Sequence, residues 1–409
     1  MRDEAAAAEP GGPSAAGLRR VLVVLCVTEI VSWGVLYYAF PVMATSIAAD
    51  TGWSVSTITA AFSTGLVVAA LVGIPAGRWL DRAGPRPVMT TGSVLAVPAV
   101  LGIAWAPTVP VFFASWALAG VAMSGTLYPP AFAALTRWWG ARRVVALTAL
   151  TLVAGLSSTI FAPLTVVLLE SVGWRHTYLV LAVVLAAVTV PAHLFGLRGR
   201  WPAAGGGQGV LPADVAGVVR SRAFLLLVAA IAGGSLTAFA VVVNQIPLLL
   251  ERGLSTSTAA WALGLGGLGQ VLGRLGYSRL VAASTVRTRG VVVLGLGAAA
   301  TALLAVVPGP AALLIAVATL AGAVRGTFTL LQATAVTDRW GAAHYGRLNG
   351  IVAAPAMLAT AIAPWAGAAM AGPLGGYPPV FLVLSGIAVI ATVLAAGSVP
   401  RPVHRSARE

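Results

Sequence analysis

"LAGVAMSGTLYPPAFAALTRW" (118–138) and "LAGAVRGTFTLLQATAVTDRW" (320–340) are two versions of one segment. Leu118-Ala119-Gly120 aligns with Leu320-Ala321-Gly322 at an offset of 202, and Arg137-Trp138 aligns with Arg339-Trp340 at the same offset. Ala162-Pro163 then aligns with Ala363-Pro364 at an offset of 201. Gly77-Arg78 and Gly273-Arg274 close two other apolar runs in the same way. A chain of 409 residues that matches itself after about half its length reads as a duplication. Both copies are long and apolar enough to cross a hydrocarbon core about 30 Å thick as a helix.

The whole chain has the same character. It is 59% hydrophobic and 9% charged, whereas a soluble domain carries roughly 25% charged residues, so a single soluble core is excluded. Twelve apolar runs lie near 20–44, 55–79, 87–105, 109–134, 143–168, 175–197, 222–250, 257–281, 288–307, 310–337, 343–370 and 377–397. Backbone in lipid must bond to itself, so these runs are helices. The expected fold is an all-α membrane protein of twelve transmembrane helices in two six-helix bundles. Residues 1–18 read as a disordered N-terminus and 19–197 as the first bundle. The Gly/Pro-rich stretch 198–221 reads as a linker, 222–398 as the second bundle and 399–409 as a tail. A six-plus-six repeat implies a ligand site between the bundles near the midplane.

The net charge of +14 does not indicate a nucleic-acid partner. Every basic residue is Arg, and 22 of the 25 fall in even-numbered linkers or at the chain ends. Odd linkers hold Arg175 and Arg252, and Arg325 alone stands inside a run. This is a positive-inside pattern, which predicts a multi-pass protein with both termini cytoplasmic. The single cysteine, Cys26, excludes an internal disulfide. No small-residue cleavage site follows the first apolar run, so that run is expected to persist.

With that topology in place, "GIPAGRWLDRAGPR" (73–86) becomes informative. It resembles the Gly-x-x-x-Asp-Arg-x-Gly-x-Arg signature of the major facilitator superfamily at Gly77, Asp81, Arg82, Gly84 and Arg86. The resemblance extends over residues 19–398 and implies a monomeric secondary transporter working by alternating access. It also implies that the motif latches the bundles in the outward-facing state, with Arg137 or Arg143 as partner to Asp81. Gly77 would let helices approach closely and Gly84 would permit a tight turn. Within the superfamily, "TEIVSWGVLYYAF" (28–40), "VVNQIPLLLERGLS" (242–255) and "GLGQVLGR" (267–274) are most similar to bacterial monocarboxylate-porter-like proteins. That implies a bacterial plasma-membrane location and a small organic anion moved with protons. The Gly-Pro ending typical of drug exporters is missing from "LVAGLSSTIFAPL" (152–164). Efflux of an amphiphilic drug or metabolite stands as the alternative.

The resemblance also implies that spans one, four, seven and ten line the pathway. Span one carries Glu29, Trp33, Tyr37 and Phe40 at helical spacing. Glu29 is the only acid well inside a span, and a protonatable carboxylate is what proton coupling requires. Span ten carries Arg325, Phe328, Thr329 and Gln332. Arg325 replaces Met123 of the other copy, so the architecture does not demand the charge, and an arginine at a bilayer centre costs roughly 2.5–3.5 kcal/mol. Its planar fork matches a carboxylate. The two readings are capture of an anionic substrate and a structural ion pair with Glu29. Asn244 and Gln245 in span seven either hydrogen-bond substrate or bond backbone near Pro247. Tyr128, before Pro129-Pro130, either faces substrate or satisfies a carbonyl that the prolines free. The glycine-rich run at 262–274 lacks the strand and Gly-Lys-Ser/Thr of a phosphate loop, and its small residues would let span eight pack closely. No residue set has metal-ligand or catalytic-triad spacing. Neither cofactor nor enzyme activity is expected, and the expected partners are a small molecule, protons and the bilayer.

Overall fold

The computed structural model describes residues 14–199, 201, 213–341 and 345–400. The expected N-terminal segment and tail lie outside the described residues except for 14–18 and 399–400. Among the described residues twelve long helices account for the fold. They are α1 (Ala15–Thr51), α2 (Val55–Ala83), α3 (Pro85–Trp105), α4 (Val109–Trp139), α5 (143–172), α6 (174–196), α7 (Arg222–Glu251), α8 (Thr256–Ala283), α9 (Val286–Val306), α10 (Ala311–Thr334), α11 (Tyr345–Leu374) and α12 (Tyr377–Ala396). Ten continuous helical stretches among the described residues are long and apolar enough to cross a membrane. One of them, Arg143–Gly196, turns at Gly173 (φ +74) and so holds both α5 and α6. α8 is also long enough, at 28 residues, but its glycines and polar residues dilute its hydropathy.

Two boundaries differ from the sequence reading. Residues 15–18 are helical rather than disordered, because Ser14 caps α1 by accepting from the Gly17 N–H. The expected linker contains a short helix, Ala213–Arg220, whose Val215 packs under the second bundle.

Elsewhere local chemistry sets the helix ends. Ser54, Ser221, Ser255 and Thr285 each cap the helix that follows them. Gly84 turns at φ +81 between α2 and α3, and Pro85 starts the next helix. α4 breaks at Leu127, which is extended, because Pro129 and Pro130 cannot donate into a continuous ladder.

One crossing occurs in both halves. A Cβ on Gly120 of α4 would lie 2.1 Å from the Gly65 carbonyl oxygen of α2. A Cβ on Gly322 of α10 would lie 2.0 Å from the Gly266 carbonyl oxygen of α8. Gly120 and Gly322 are the glycines of the two Leu-Ala-Gly copies. Backbone therefore packs on backbone, the small-residue contact that membrane helices use for close association.

The apolar cores define the conformation. At the arginine-poor end one continuous core joins the bundles, running from Tyr37, Phe62 and Trp116 to Val241, Leu249 and Phe381. At the arginine-rich end each bundle keeps its own core, one around Leu135 and Trp138, the other around Phe224 and Leu331. The pathway is thus closed at the first end and parted at the second.

Candidate functional site at the bundle interface

α1 widens into a π-helical turn over Gly34–Tyr38, a local insertion that shifts the face presented beyond it. Gly34 permits this at close quarters, since a Cβ there would lie 2.2 Å from the Phe161 ring. As a result the expected single face divides. Tyr37 meets Phe239 of α7 across the bundle interface, at 6.3 Å between ring centroids. Phe40 instead stacks on Phe62 at 4.2 Å within the N-terminal bundle. Trp33 packs against Tyr37 at 5.4 Å and against Tyr128 at 5.0 Å.

Glu29 is fully buried on α1, and neither carboxylate oxygen has a hydrogen-bond partner. It stands in reach of Tyr128 and the Trp33 indole and makes no ion pair with Arg325. Of the two readings of Arg325, the structural ion pair with Glu29 is thus not formed in this structure. Arg325 takes a different partner.

That partner is Gln270 of α8. Arg325 Nε donates to Gln270 Oε1 at 2.8 Å, and Arg325 Nη2 is buried without a partner. The contact follows from the glycine packing of α8 on α10, because a Cβ on Gly326 would lie 2.0 Å from the Gln270 carbonyl oxygen. One turn beyond Gln270, Arg274 is 7% exposed and donates to the Thr151 carbonyl oxygen of α5, across the bundle interface. Tyr128 lies near the same guanidinium.

Arg274 therefore joins Arg325 inside the membrane span, which corrects the placement of Arg274 in a linker. Gln270, Arg274 and Tyr277 recur along α8 at spacings of four and three, the signal that marks this face as polar. α8 was not among the helices expected to line the pathway.

The other expected binding residues separate. Asn244 Nδ2 donates to the Ala240 carbonyl at 2.9 Å and to the Pro364 carbonyl at 3.3 Å, so it ties α7 to α11 instead of facing substrate. Gln332 donates to the Ser235 hydroxyl at 2.8 Å, a link between α10 and α7 inside the C-terminal bundle. Phe328 is buried in that bundle's core. Gln245 is buried, and its amide nitrogen has no partner. Gln245, Arg325, Phe328 and Thr237 line a cavity of about 50 Å³ among α7, α8, α9 and α10.

At the arginine-rich end Asp81 pairs with Arg137. The indole of Trp201 donates to the Asp81 carbonyl at 3.1 Å, and Arg137 lies over the Trp201 ring at 4.6 Å. Arg86 Nε donates to the Leu194 carbonyl at 2.8 Å. Arg82 and Arg143 are exposed, and neither pairs with Asp81. Nothing lies within 4 Å of a Cβ on Gly77, so the close helix approach expected there is not made. In the second half, Asp338 pairs with Arg289 of α9, and Arg339 donates to the Ser398 carbonyl at 2.9 Å. Burial lowers the Arg339 pKa to about 10, although neighbouring Asp338 opposes the shift.

Comparison with known proteins places this geometry. The chain is 27% identical over 144 residues to an uncharacterised MFS-type transporter, YcxA, of Bacillus subtilis, covering 35% of each. It is 28% identical over 205 residues to Monocarboxylate transporter 13 of Bos taurus, covering 50% of this chain and 47% of that protein. The matches thus span about a third to a half of these relatives. Among solved structures, a bacterial homolog of the human lysosomal transporter Spinster, inward-facing and occupied, superposes with a TM-score of 0.76 at 14% identity, over 93% of this chain and 97% of that one. The nucleoside transporter NupG superposes with a TM-score of 0.75 at 13% identity, over 92% and 99%. The sequence profile described as Major Facilitator Superfamily matches residues 25–285 and 225–409. The chain belongs to the major facilitator superfamily of membrane transporters.

Proposed function

We propose that this transporter is a monomeric, proton-coupled carrier of a small organic anion, most simply a monocarboxylate, in a bacterial plasma membrane. The arginine-rich end and both termini face the cytoplasm, in keeping with the positive-inside distribution. On that orientation the parted end is the cytoplasmic one. Residues 19–197 and 222–398 then rock against each other about the midplane.

One observation carries the reading. The buried donors Arg274 and Gln270 and the half-buried Arg325, whose Nη2 is buried, lie on the C-terminal bundle, while the acid Glu29 is buried on the N-terminal one with no hydrogen-bond partner. Two guanidiniums with no carboxylate between them suit an anion, through charge-assisted bonds. A bare buried carboxylate is costly unless it is neutralised, which suits a proton-carrying role for Glu29. Tyr37, Trp33 and Tyr128 supply the aromatic wall beside these groups. The partial similarity to Monocarboxylate transporter 13 supports the substrate class.

Uptake of a radiolabelled short-chain monocarboxylate into proteoliposomes tests the proposal. Arg325→Ala and Arg325→Lys should both lose uptake, because a point charge does not replace the fork. Wild-type affinity in Arg325→Ala would overturn it. The aromatic group of Trp33, Tyr37 and Phe239 favours a second reading, efflux of an amphiphile. That reading predicts binding that is indifferent to substrate charge.

A further inference from the structure

The cavity inside the C-terminal bundle has a chemistry of its own. Its walls are mostly apolar, from Val241, Leu263, Val293, Leu294 and Phe328. Two donors border it with nothing to bond: the amide nitrogen of Gln245, a residue 4% exposed, and Nη2 of Arg325. Its two threonine hydroxyls already donate to helix carbonyls, Thr237 to Leu384 at 3.3 Å and Thr301 to Gly297 at 2.8 Å. No Asp or Glu lines it. The space is therefore one fixed positive charge plus an unspent amide donor, without a counter-charge. Buried donors in native structures find partners, and a buried cation is paired.

We infer that a resident inorganic anion of halide size occupies this cavity, held between Gln245 and Arg325 when no substrate is bound. The volume of about 50 Å³ suits it, on a scale where one water needs roughly 10–15 Å³. An anion with a single water fits, and an amphiphilic drug does not. An anion accepts from both orphaned donors at once and brings no protons of its own to place in a mostly apolar space. Such an ion neutralises Arg325 in the resting protein, and the substrate carboxylate competes with it.

The proposal shares with the transport reading the premise that Arg325 donates to anions. It is tested without organic substrate, so the two can fail separately. Purified protein is melted while gluconate is exchanged for chloride, bromide or acetate at constant ionic strength. Chloride and bromide should raise the melting temperature to a plateau, and Gln245→Leu and Arg325→Gln should abolish the rise. A bromide-soaked crystal should show an anomalous peak in contact with both nitrogens. Equal melting in chloride and gluconate overturns the proposal, as does a halide effect that survives in both variants. A response to acetate but not to halide also overturns it, and assigns the cavity to the substrate carboxylate instead.

Discussion

Arg325 reaches Gln270, not Glu29. Its Nε donates to the glutamine side chain at 2.8 Å across the α8–α10 contact, and the only acid deep in a span stays unpaired in the other bundle. Gln270 therefore orients the fork of Arg325. A hydrogen bond to a charged group contributes about 1.5–3 kcal/mol, so Gln270→Leu should raise the KM for the anion roughly ten- to a hundred-fold. Gln270→Glu, which adds a competing carboxylate, should abolish uptake. Steady-state uptake in proteoliposomes measures both, and an unchanged KM in Gln270→Leu would separate Gln270 from the site.

Glu29→Gln should uncouple the carrier. The variant keeps the shape and removes the exchangeable proton, so accumulation against a gradient, driven by an imposed pH difference, should disappear. Counterflow exchange at equal pH should persist. Uphill transport in Glu29→Gln would remove Glu29 from the coupling role.

Gly326→Ala places a methyl 2.0 Å from a backbone oxygen of α8, which no side-chain rotation relieves. Overpacking of this kind costs about 1–3 kcal/mol. The melting temperature should fall, and uptake should fall with it, because α8 and α10 together set the spacing of Gln270, Arg274 and Arg325. A variant melting like wild type would show that the helices slide apart without penalty.

Asp81→Asn should behave in the opposite way. Its side chain is 54% exposed in the pair with Arg137, and exposed pairs contribute only about 0–1 kcal/mol. Melting should stay nearly constant. Asp81 on α2 and Arg137 on α4 sit in the same bundle and pair here while that end is parted, so the balance of states should hardly change, read as an unchanged distance distribution between spin labels on that end of α2 and α11. A shifted distribution would show that the pair does hold the two bundles together.

The duplicated segment and the arginine distribution made the architecture legible before any coordinates. Hydropathy reports crossings wherever the helices are uniformly apolar. It reports α8 poorly, because the glycines that let α10 approach also lower its apolar content. Gln270 and Arg274 were missed because span eight was not among the helices expected to line the pathway and Arg274 was read as closing its run. Arg325 stood out because its counterpart in the repeat is Met123. The fates of Asn244 and Gln332 were not legible. Whether an amide faces a ligand or a carbonyl two helices away depends on tertiary placement, and spacing along one helix does not encode it. The π-turn in α1 was hidden for a similar reason, since it depends on the Phe161 ring lying against Gly34.

The welded crossing of α8 on α10 has a mechanical consequence. Arg274, Gln270 and Arg325 cannot be displaced from one another without pulling two backbones apart, so they travel as a single plate. Glu29 travels with the opposite bundle. Any swing that opens one side of the membrane and shuts the other therefore changes the separation between the cationic plate and the acid, and changes it for all three donors at once. On the proposed roles, proton affinity on one body and anion affinity on the other would become functions of the same angle, and a two-bundle machine would exchange one gradient for another without a dedicated relay between the sites.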